Sequence, residues 1–226
     1  MRDDLTLLFF YWVCLFMPVL GVLSYYRVKS GKPLAPKRRR FLATMVIELW
    51  LLGLALGANR PHSLPLFPRT LPDATGLFYG AVVLGSLLLA AGKGLTRAPA
   101  ERLQKLRQRL PENAQELGWW AVISLLAGFC EEIGYRGVLY GMLLDAWHSV
   151  PLAILVAVVV FAVAHAMQGP RGMLGVGVFG LLFHALVLVT GTLYVGMAVH
   201  ATYDFALGFL AMRTFRGPAQ PTPAET

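Results

Sequence analysis

Seven long apolar runs account for most of this sequence, at approximately residues 5–26, 41–58, 74–92, 117–144, 151–167, 172–190 and 193–212. Each is at least about 17 residues long, the length that an α-helix needs to cross the hydrocarbon core of a bilayer. Backbone polar groups in hydrocarbon must hydrogen-bond within their own segment, so such runs cross as helices rather than as barrel strands. We therefore predict an all-α fold, a polytopic transmembrane helical bundle with about seven spans, or eight if one run consists of two re-entrant halves.

Composition supports a membrane protein and argues against nucleic-acid binding. Of the 226 residues, 57% are hydrophobic and 14% are charged, too few charges to cover a soluble domain. The net charge of +8 comes from basic residues in short loops between the apolar runs, where such residues set topology and contact lipid headgroups. Cys14 and Cys130 both lie inside apolar runs, so we expect buried thiols and no disulfide.

The distribution of basic residues predicts the orientation in the membrane. Most of the 20 Lys and Arg residues lie in the first loop (27–40) and the third loop (93–109), and the positive-inside rule puts such loops in the cytoplasm. The N-terminus is then outside and the C-terminus cytoplasmic, and the Ala-, Leu-, Gly- and Arg-rich composition favours a bacterial inner membrane. Leu103, Leu106 and Leu110 recur at helical spacing in the third loop, which indicates either a short amphipathic interfacial helix or a solvated loop.

The ionisable residues inside the apolar runs are the candidates for function, because a charged side chain at the bilayer centre costs roughly 2.5–3.5 kcal/mol on insertion scales. Glu131 and Glu132 lie in the middle of the fourth run, in the segment GFCEEIGYRG. Glu132 and Arg136 are four residues apart and can pair on one helix face, which indicates a structural role. Glu131 points away from that pair, and an unpaired carboxyl in an apolar bundle suits a general base or acid.

Two later runs carry histidines at the same four-residue spacing. Phe161 and His165 lie on successive turns of the fifth run, and His200 and Asp204 share a face of the seventh. If these helices pack on the fourth, Glu131 and the two histidines converge.

Two other ionisable residues in the apolar runs are assigned no chemistry. A lone buried histidine is more often a packing residue than a catalyst, and we place His184 in that class. Glu48, alone in the second run, can line a cavity or pair across helices, and it is given no role.

These three spacings resemble the motifs of one family of membrane proteases. EEIGYR (131–136), FAVAH (161–165) and HATYD (200–204) are similar to the EExxxR, FxxxH and HxxxN or HxxxD motifs of the CPBP family, which includes Rce1-type CAAX prenyl endopeptidases and bacterial Abi proteins. The resemblance covers about residues 115–212. We accordingly divide the chain into N-terminal transmembrane helices with basic cytoplasmic loops (1–114), a CPBP-like catalytic core (115–212) and a disordered cytoplasmic tail (213–226).

The resemblance implies an intramembrane endopeptidase that cleaves a membrane-embedded or lipid-anchored peptide or protein near the cytoplasmic leaflet. Glu131 would be the base that activates a water together with His165, and His200 with the residue four positions later would stabilise the oxyanion. Three residues would support this site structurally: Glu132, Arg136 and Phe161.

Asp204 departs from the prenyl endopeptidases, which have Asn at this position. An ionised Asp cannot donate to an oxyanion, so Asp204 would act protonated, orient His200 or ligate a metal. The family has been described both as metalloproteases and as glutamate-type enzymes, and Glu131, His165 and His200 would make a zinc set. No HExxH helix is present, and we favour the metal-free glutamate mechanism with no cofactor.

Two other classes of function stay open from the sequence. A proton-coupled transporter also buries Glu, His and Asp in membrane helices, although we find no inverted repeat of the kind such carriers contain. A catalytically silent immunity or scaffold protein would keep the fold, but it has no need to bury Glu131, His165 and His200 together.

Overall fold

The computed structural model describes residues 2–58 and 71–216, and within them the predicted fold class is confirmed as an all-helical bundle. Two of its long rods contain π-helical turns, at Trp12–Phe16 and at Glu132–Leu139. In chain order the α-helices are α1 (Arg2–Tyr11), α2 (Met17–Lys29), α3 (Lys37–Ala58), α4 (Ala74–Thr96), α5 (Ala100–Arg107), α6 (Ala114–Glu131), α7 (Tyr140–Trp147), α8 (Val150–Ala164), α9 (Pro170–Thr190) and α10 (Tyr194–Arg216).

Most of the predicted spans correspond to helices that can cross a membrane. Among the described residues, six helical rods are long and apolar enough, namely Asp4–Lys29, Lys37–Ala58, Ala74–Thr96, Ala114–Trp147, Pro170–Thr190 and Tyr194–Arg216. Many large apolar side chains on these rods face outward, as expected for a surface in contact with lipid. The predicted span at 151–167 is the shorter helix α8, whose 15 residues cover about 22 Å of a hydrocarbon core that is about 30 Å thick.

Helix α8 ends inside the bundle rather than at its rim. The α8–α9 turn packs against α2, and the approach at Gly21 is so close that a Cβ there would lie 2.5 Å from the carbonyl oxygen of Ala164. Gly21 lies about 12 Å along the helix axis from Lys29, where α2 ends. Non-helical backbone at membrane depth is tolerated where protein or water surrounds it, and here α2 packs against the turn.

The basic loops meet at one end of the bundle. Lys37 donates to the Glu116 carboxylate at 3.0 Å and to the Leu110 carbonyl at 3.1 Å, which joins the first loop to the third. Arg107 donates to the carbonyl of Phe215 at 2.7 Å, which joins the third loop to the end of α10. The third loop contains the predicted amphipathic helix, which is α5. The leucines of this loop pack on the protein, in a cluster formed by Leu95, Leu103, Leu106, Leu110, Ala211 and Phe215.

The C-terminal boundary of the bundle is the end of α10 at Arg216. The first four residues of the tail predicted at 213–226 therefore belong to this helix. Residues 217–226 lie outside the described part of the chain.

Helices α6 and α10 touch through backbone at Gly128. A Cβ at this position would lie 2.7 Å from the amide nitrogen of Ala201 and 2.9 Å from the carbonyl oxygen of Met197. Neither contact is with the end of a flexible side chain, so any larger residue must push the two helices apart. These helices carry Glu131 and His200, so their spacing sets the geometry between those side chains.

A Gly128→Ala substitution is expected to destabilise the protein by about 1–3 kcal/mol because it overpacks this helix contact. It should also lower activity, since α10 moves away from Glu131. The matched control is Gly118→Ala on the same helix, where nothing lies within 4 Å of the added Cβ and the better helix propensity of Ala should leave stability equal or slightly higher. Thermal unfolding in detergent measures both, and equal stability of the two variants would contradict the packing argument.

Candidate active site

The π-helical segment Glu132–Leu139 forms the buried floor of the candidate site. Glu132 and Arg136 are both fully buried, and Nη1 of Arg136 lies 3.3 Å from Oε1 of Glu132, as their four-residue spacing predicted. The guanidinium also lies over the ring of Phe161, 4.3 Å from its centroid, and over that of Phe183 at 5.5 Å. π-Helical turns are rare and are frequent at functional sites. Here the turn begins one residue after Glu131.

Glu131 lies between two imidazole rings from different helices. Its Oε1 is 3.8 Å from Nε2 of His165, and its Oε2 is 3.8 Å from Nε2 of His200. The structure therefore brings together the three residues that the sequence suggested would converge. Both separations exceed the range of a direct hydrogen bond, and polar groups at such a distance are commonly bridged by a water. A water that lies to one side of this gap can contact both the carboxylate and a ring.

His165 is oriented by its own helix. It is the residue that ends α8, and its backbone N–H bonds to the carbonyl of Ala162 instead of continuing the α-helical pattern. The carbonyl of Phe161 is thus left without that backbone donor, and Nδ1 of His165 lies 2.9 Å from its oxygen. A carbonyl only accepts hydrogen bonds, so Nδ1 carries the hydrogen and Nε2 of the neutral ring presents a lone pair towards Glu131.

His200 is oriented by Glu132. Its Nδ1 lies 2.9 Å from Oε1 of Glu132, and the rings of Phe179 and Phe183 pack against the imidazole at 5.3 Å each. Glu132 thus joins Arg136 to His200 as well as bracing its own helix, a connection that the sequence did not reveal.

Asp204 lies on the far side of His200 from Glu132. Its Oδ2 is 3.7 Å from Nε2 of His200, and the indole of Trp120 donates to its backbone carbonyl at 2.7 Å. The side chain of Asp204 therefore faces the same imidazole nitrogen that faces Glu131. Trp120 fixes this turn of α10 against α6 through this hydrogen bond, which could not be seen from the sequence.

The site is open on one side. The side chains of His165 and Asp204 are 27% and 24% exposed, whereas those of Glu131 and His200 are 11% and 5% exposed. The carboxylate is therefore most accessible on the side of His165 and Asp204, while the floor formed by Glu132 and Arg136 is closed.

A fourth carboxyl group, Glu48 on α3, also belongs to this cluster. It is 5% exposed, and both Glu131 and Asp204 act on it electrostatically. From the sequence, Glu48 was assigned no role. The available signal was its position in a buried stripe of α3 that also contains Phe41, Leu51 and Ala55, at the spacing expected for one face of a helix.

His184 also lies in the buried interior, but it does not face Glu131. Its Nδ1 lies 3.0 Å from the carbonyl oxygen of Gly180, one turn earlier, and its ring packs edge-on against Tyr140. These contacts are those of a packing residue, as the sequence analysis expected.

The donor set does not have the arrangement of a metal site. Across residues 2–58 and 71–216, no group of three or more His, Cys, Asp or Glu side chains is placed so that it could hold a metal ion. This holds for Glu131, His165 and His200, the residues suggested as zinc ligands.

Comparison with protein families gives a match to this part of the chain. A family model described as "Type II CAAX prenyl endopeptidase Rce1-like" matches residues 113–206, a range that contains all three motifs. The resemblance inferred from the motifs is thereby confirmed. No curated protein and no solved structure matches the chain significantly.

Proposed function

We propose that this chain is an intramembrane peptidase that hydrolyses peptide bonds with a water activated by Glu131. Residues 113–206 match the Rce1-like type II CAAX prenyl endopeptidase family model, and the long apolar helices support an integral membrane protein. The observation that carries the proposal is the position of the Glu131 carboxylate, 3.8 Å from Nε2 of both His165 and His200. No metal ion takes part in the proposed steps.

In the first step Glu131 takes a proton from the bridging water as the water oxygen bonds to the scissile carbonyl carbon. General-base catalysis of this kind contributes typically 10²–10⁴-fold. The Nε2 lone pair of His165 accepts a hydrogen bond from the other hydrogen of this water. A lone pair of the water oxygen then faces the substrate. Glu131 then returns the proton to the amide nitrogen, the C–N bond breaks, and a carboxylic acid and an amine leave. The acid gives its proton to the amine in water, so the final products are a carboxylate and an ammonium group.

His200 stabilises the oxyanion of the tetrahedral intermediate. Its Nδ1–H is held by Glu132, and a second hydrogen on Nε2 makes the ring an imidazolium flanked by the carboxylates of Glu132, Glu131 and Asp204. An imidazolium donates from Nε2 to the negative oxygen, and donors fixed before the reaction are usually the largest electrostatic contribution to such steps. Asp204 therefore acts by orienting His200 and stabilising its positive charge, and Asp204 itself need not donate a hydrogen bond to the oxyanion.

The proposed substrate is a membrane-embedded or lipid-anchored peptide or protein, cut on the cytoplasmic side of a bacterial inner membrane. The site opens at His165, next to the α8–α9 turn, and the basic loops that the positive-inside rule assigns to the cytoplasm cluster at one end of the bundle. In this orientation the N-terminus is outside and the C-terminus is cytoplasmic.

The experiment uses the full chain in liposomes with two probes, an S-prenylated peptide that ends in a CAAX sequence and a peptide with a single transmembrane segment. We expect cleavage of at least one probe, with the new termini identified by mass spectrometry, and no cleavage by His165→Ala. If folded, monodisperse protein cuts neither probe, the proposed function is wrong. Cleavage of the prenylated probe alone assigns a prenyl-dependent substrate, and cleavage of the transmembrane probe alone assigns a protein anchor.

Removal of metals is expected to leave cleavage unchanged. After exhaustive treatment with a chelator, the rate should stay within about twofold of the untreated rate, since a metal that generated the nucleophile would be worth several kcal/mol. Elemental analysis of the active sample supplies the matching measurement. Loss of activity on chelation that returns with zinc would overturn the metal-free mechanism while leaving the protease assignment in place.

A further inference from the structure

Arg40 and Arg109 come together where the first and third loops meet. Arg40 is in the first turn of α3, and its Nη2 donates to the carbonyl oxygen of Gln108, the residue before Arg109. Its Nε donates to the carbonyl oxygen of Ala35 at 3.0 Å. These two hydrogen bonds hold the Arg40 guanidinium against the end of the third loop, next to Arg109.

The acids at this junction are already engaged by other groups. Lys37 pairs with the carboxylates of both Glu112 and Glu116, and Glu116 also accepts from the backbone N–H of Glu112 at 2.9 Å. Glu116 acts electrostatically on Arg40 as well. The guanidinium of Arg109 is half-buried and forms no hydrogen bond or ion pair with any residue that the structure describes. Arg109 is therefore a cation that no described acid balances.

The junction lies at the level expected for lipid headgroups. Helix α3 and the rod that starts with α6 are both long and apolar enough to cross a membrane, and they begin at Lys37 and Ala114 respectively. The ring of Trp120, in the second turn of α6, lies 6.1 Å from that of Phe41, and tryptophan is enriched at the boundary between hydrocarbon and water. The anion within reach of arginines at this level is the phosphate of a lipid headgroup.

We propose that Arg40 and Arg109 form a binding site for the phosphate of an anionic phospholipid in the cytoplasmic leaflet. A guanidinium has five N–H donors, and Arg40 uses only part of its set on the carbonyls of Ala35 and Gln108. Its remaining donors and those of Arg109 can bind phosphate oxygens in the paired geometry that arginine favours. A zwitterionic headgroup carries a cation of its own, so the site selects a lipid with net negative charge.

The test uses the full chain in a non-ionic detergent and follows thermal unfolding while phosphatidylglycerol is added. A ligand that binds the folded state raises the melting temperature as its concentration rises. We expect this shift with phosphatidylglycerol and not with phosphatidylcholine or inorganic phosphate. Arg109→Gln should fold normally, and it should need about fivefold more phosphatidylglycerol for the same shift, which is the contribution of one arginine near an anionic headgroup.

Arg97→Gln is the matched control, because it removes the same charge from an exposed residue of the same loop, and its response should stay within about twofold of wild type. Native mass spectrometry supplies a second readout, as retention of one phosphatidylglycerol per chain that Arg109→Gln loses.

Three results would overturn the site. Arg109→Gln may bind as the wild type does, which removes the arginine from the site, or Arg97→Gln may be weakened equally, which shows a diffuse attraction to positive charge. Phosphatidylcholine or inorganic phosphate as effective as phosphatidylglycerol would show that the headgroup charge is not selected or that the ligand is a soluble anion. None of these measurements uses cleavage, so they are independent of the proposed function.

Discussion

Replacing Glu131 with Gln is expected to reduce kcat by about 10³-fold with little change in folding. The amide has nearly the same shape as the carboxyl, but it cannot take a proton from water at neutral pH. The loss should therefore match the typical contribution of a general base, about 10²–10⁴-fold. Because no charge is left unpaired and no cavity forms, the melting temperature should stay close to that of the wild type.

The measurement is single-turnover cleavage of the probe in liposomes, beside thermal unfolding of the same preparation. Glu101→Gln is the control, because it makes the same chemical change at an exposed residue of α5 that pairs with Lys105. Glu131→Ala should be as inactive as Glu131→Gln. A Glu131→Gln variant that keeps more than about a tenth of wild-type kcat would falsify the general-base assignment, since a group supplying less than tenfold is not the base.

Local spacing predicted those parts of the site that arise within one helix. Glu132 and Arg136 are four residues apart, and they do form an ion pair. Phe161 and His165 have the same spacing, and His165 bonds to the Phe161 carbonyl one turn back. Contacts between residues four apart follow from helix geometry alone, so they can be read from the sequence without knowing how the helices pack.

Contacts between helices could not be read in the same way. The closeness of Glu48 to Glu131 depends on how α3 packs on α6, and apolar runs carry no pairing information of their own. The hydrogen bond between His200 and Glu132 likewise depends on how far α10 is shifted along the π-helical segment, which the sequence does not give. The motif order, through its resemblance to a family, supplied the convergence of Glu131 with the histidines that periodicity alone left open.

The early end of α8 was also hidden in the sequence. Residues 151–167 are apolar almost throughout, so hydropathy predicts a full span. The helix ends at Ala164 because His165 takes a tighter turn and bonds to the preceding carbonyls through its backbone and its ring. The backbone conformation of His165 thus sets both the length of α8 and the position of the side from which Glu131 is accessible.

Removing Arg136 is expected to have the largest effect on stability. Arg136→Met removes the guanidinium beside the fully buried Glu132 and leaves it with the His200 ring, and breaking a buried ion pair from one side costs about 3–5 kcal/mol. The double variant Glu132→Gln/Arg136→Met removes both charges and should recover most of that stability, although its cleavage activity should stay low because His200 loses the carboxylate that holds its Nδ1. Thermal unfolding in detergent and the fraction of monodisperse protein measure these effects.

The matched control is Lys105→Met, which breaks the exposed Glu101–Lys105 pair of the same spacing and should leave the melting temperature unchanged, because exposed pairs are screened by solvent. A single Arg136 variant as stable as wild type, or a double variant no more stable than the single, would show that Arg136 does not hold Glu132 in place by its charge.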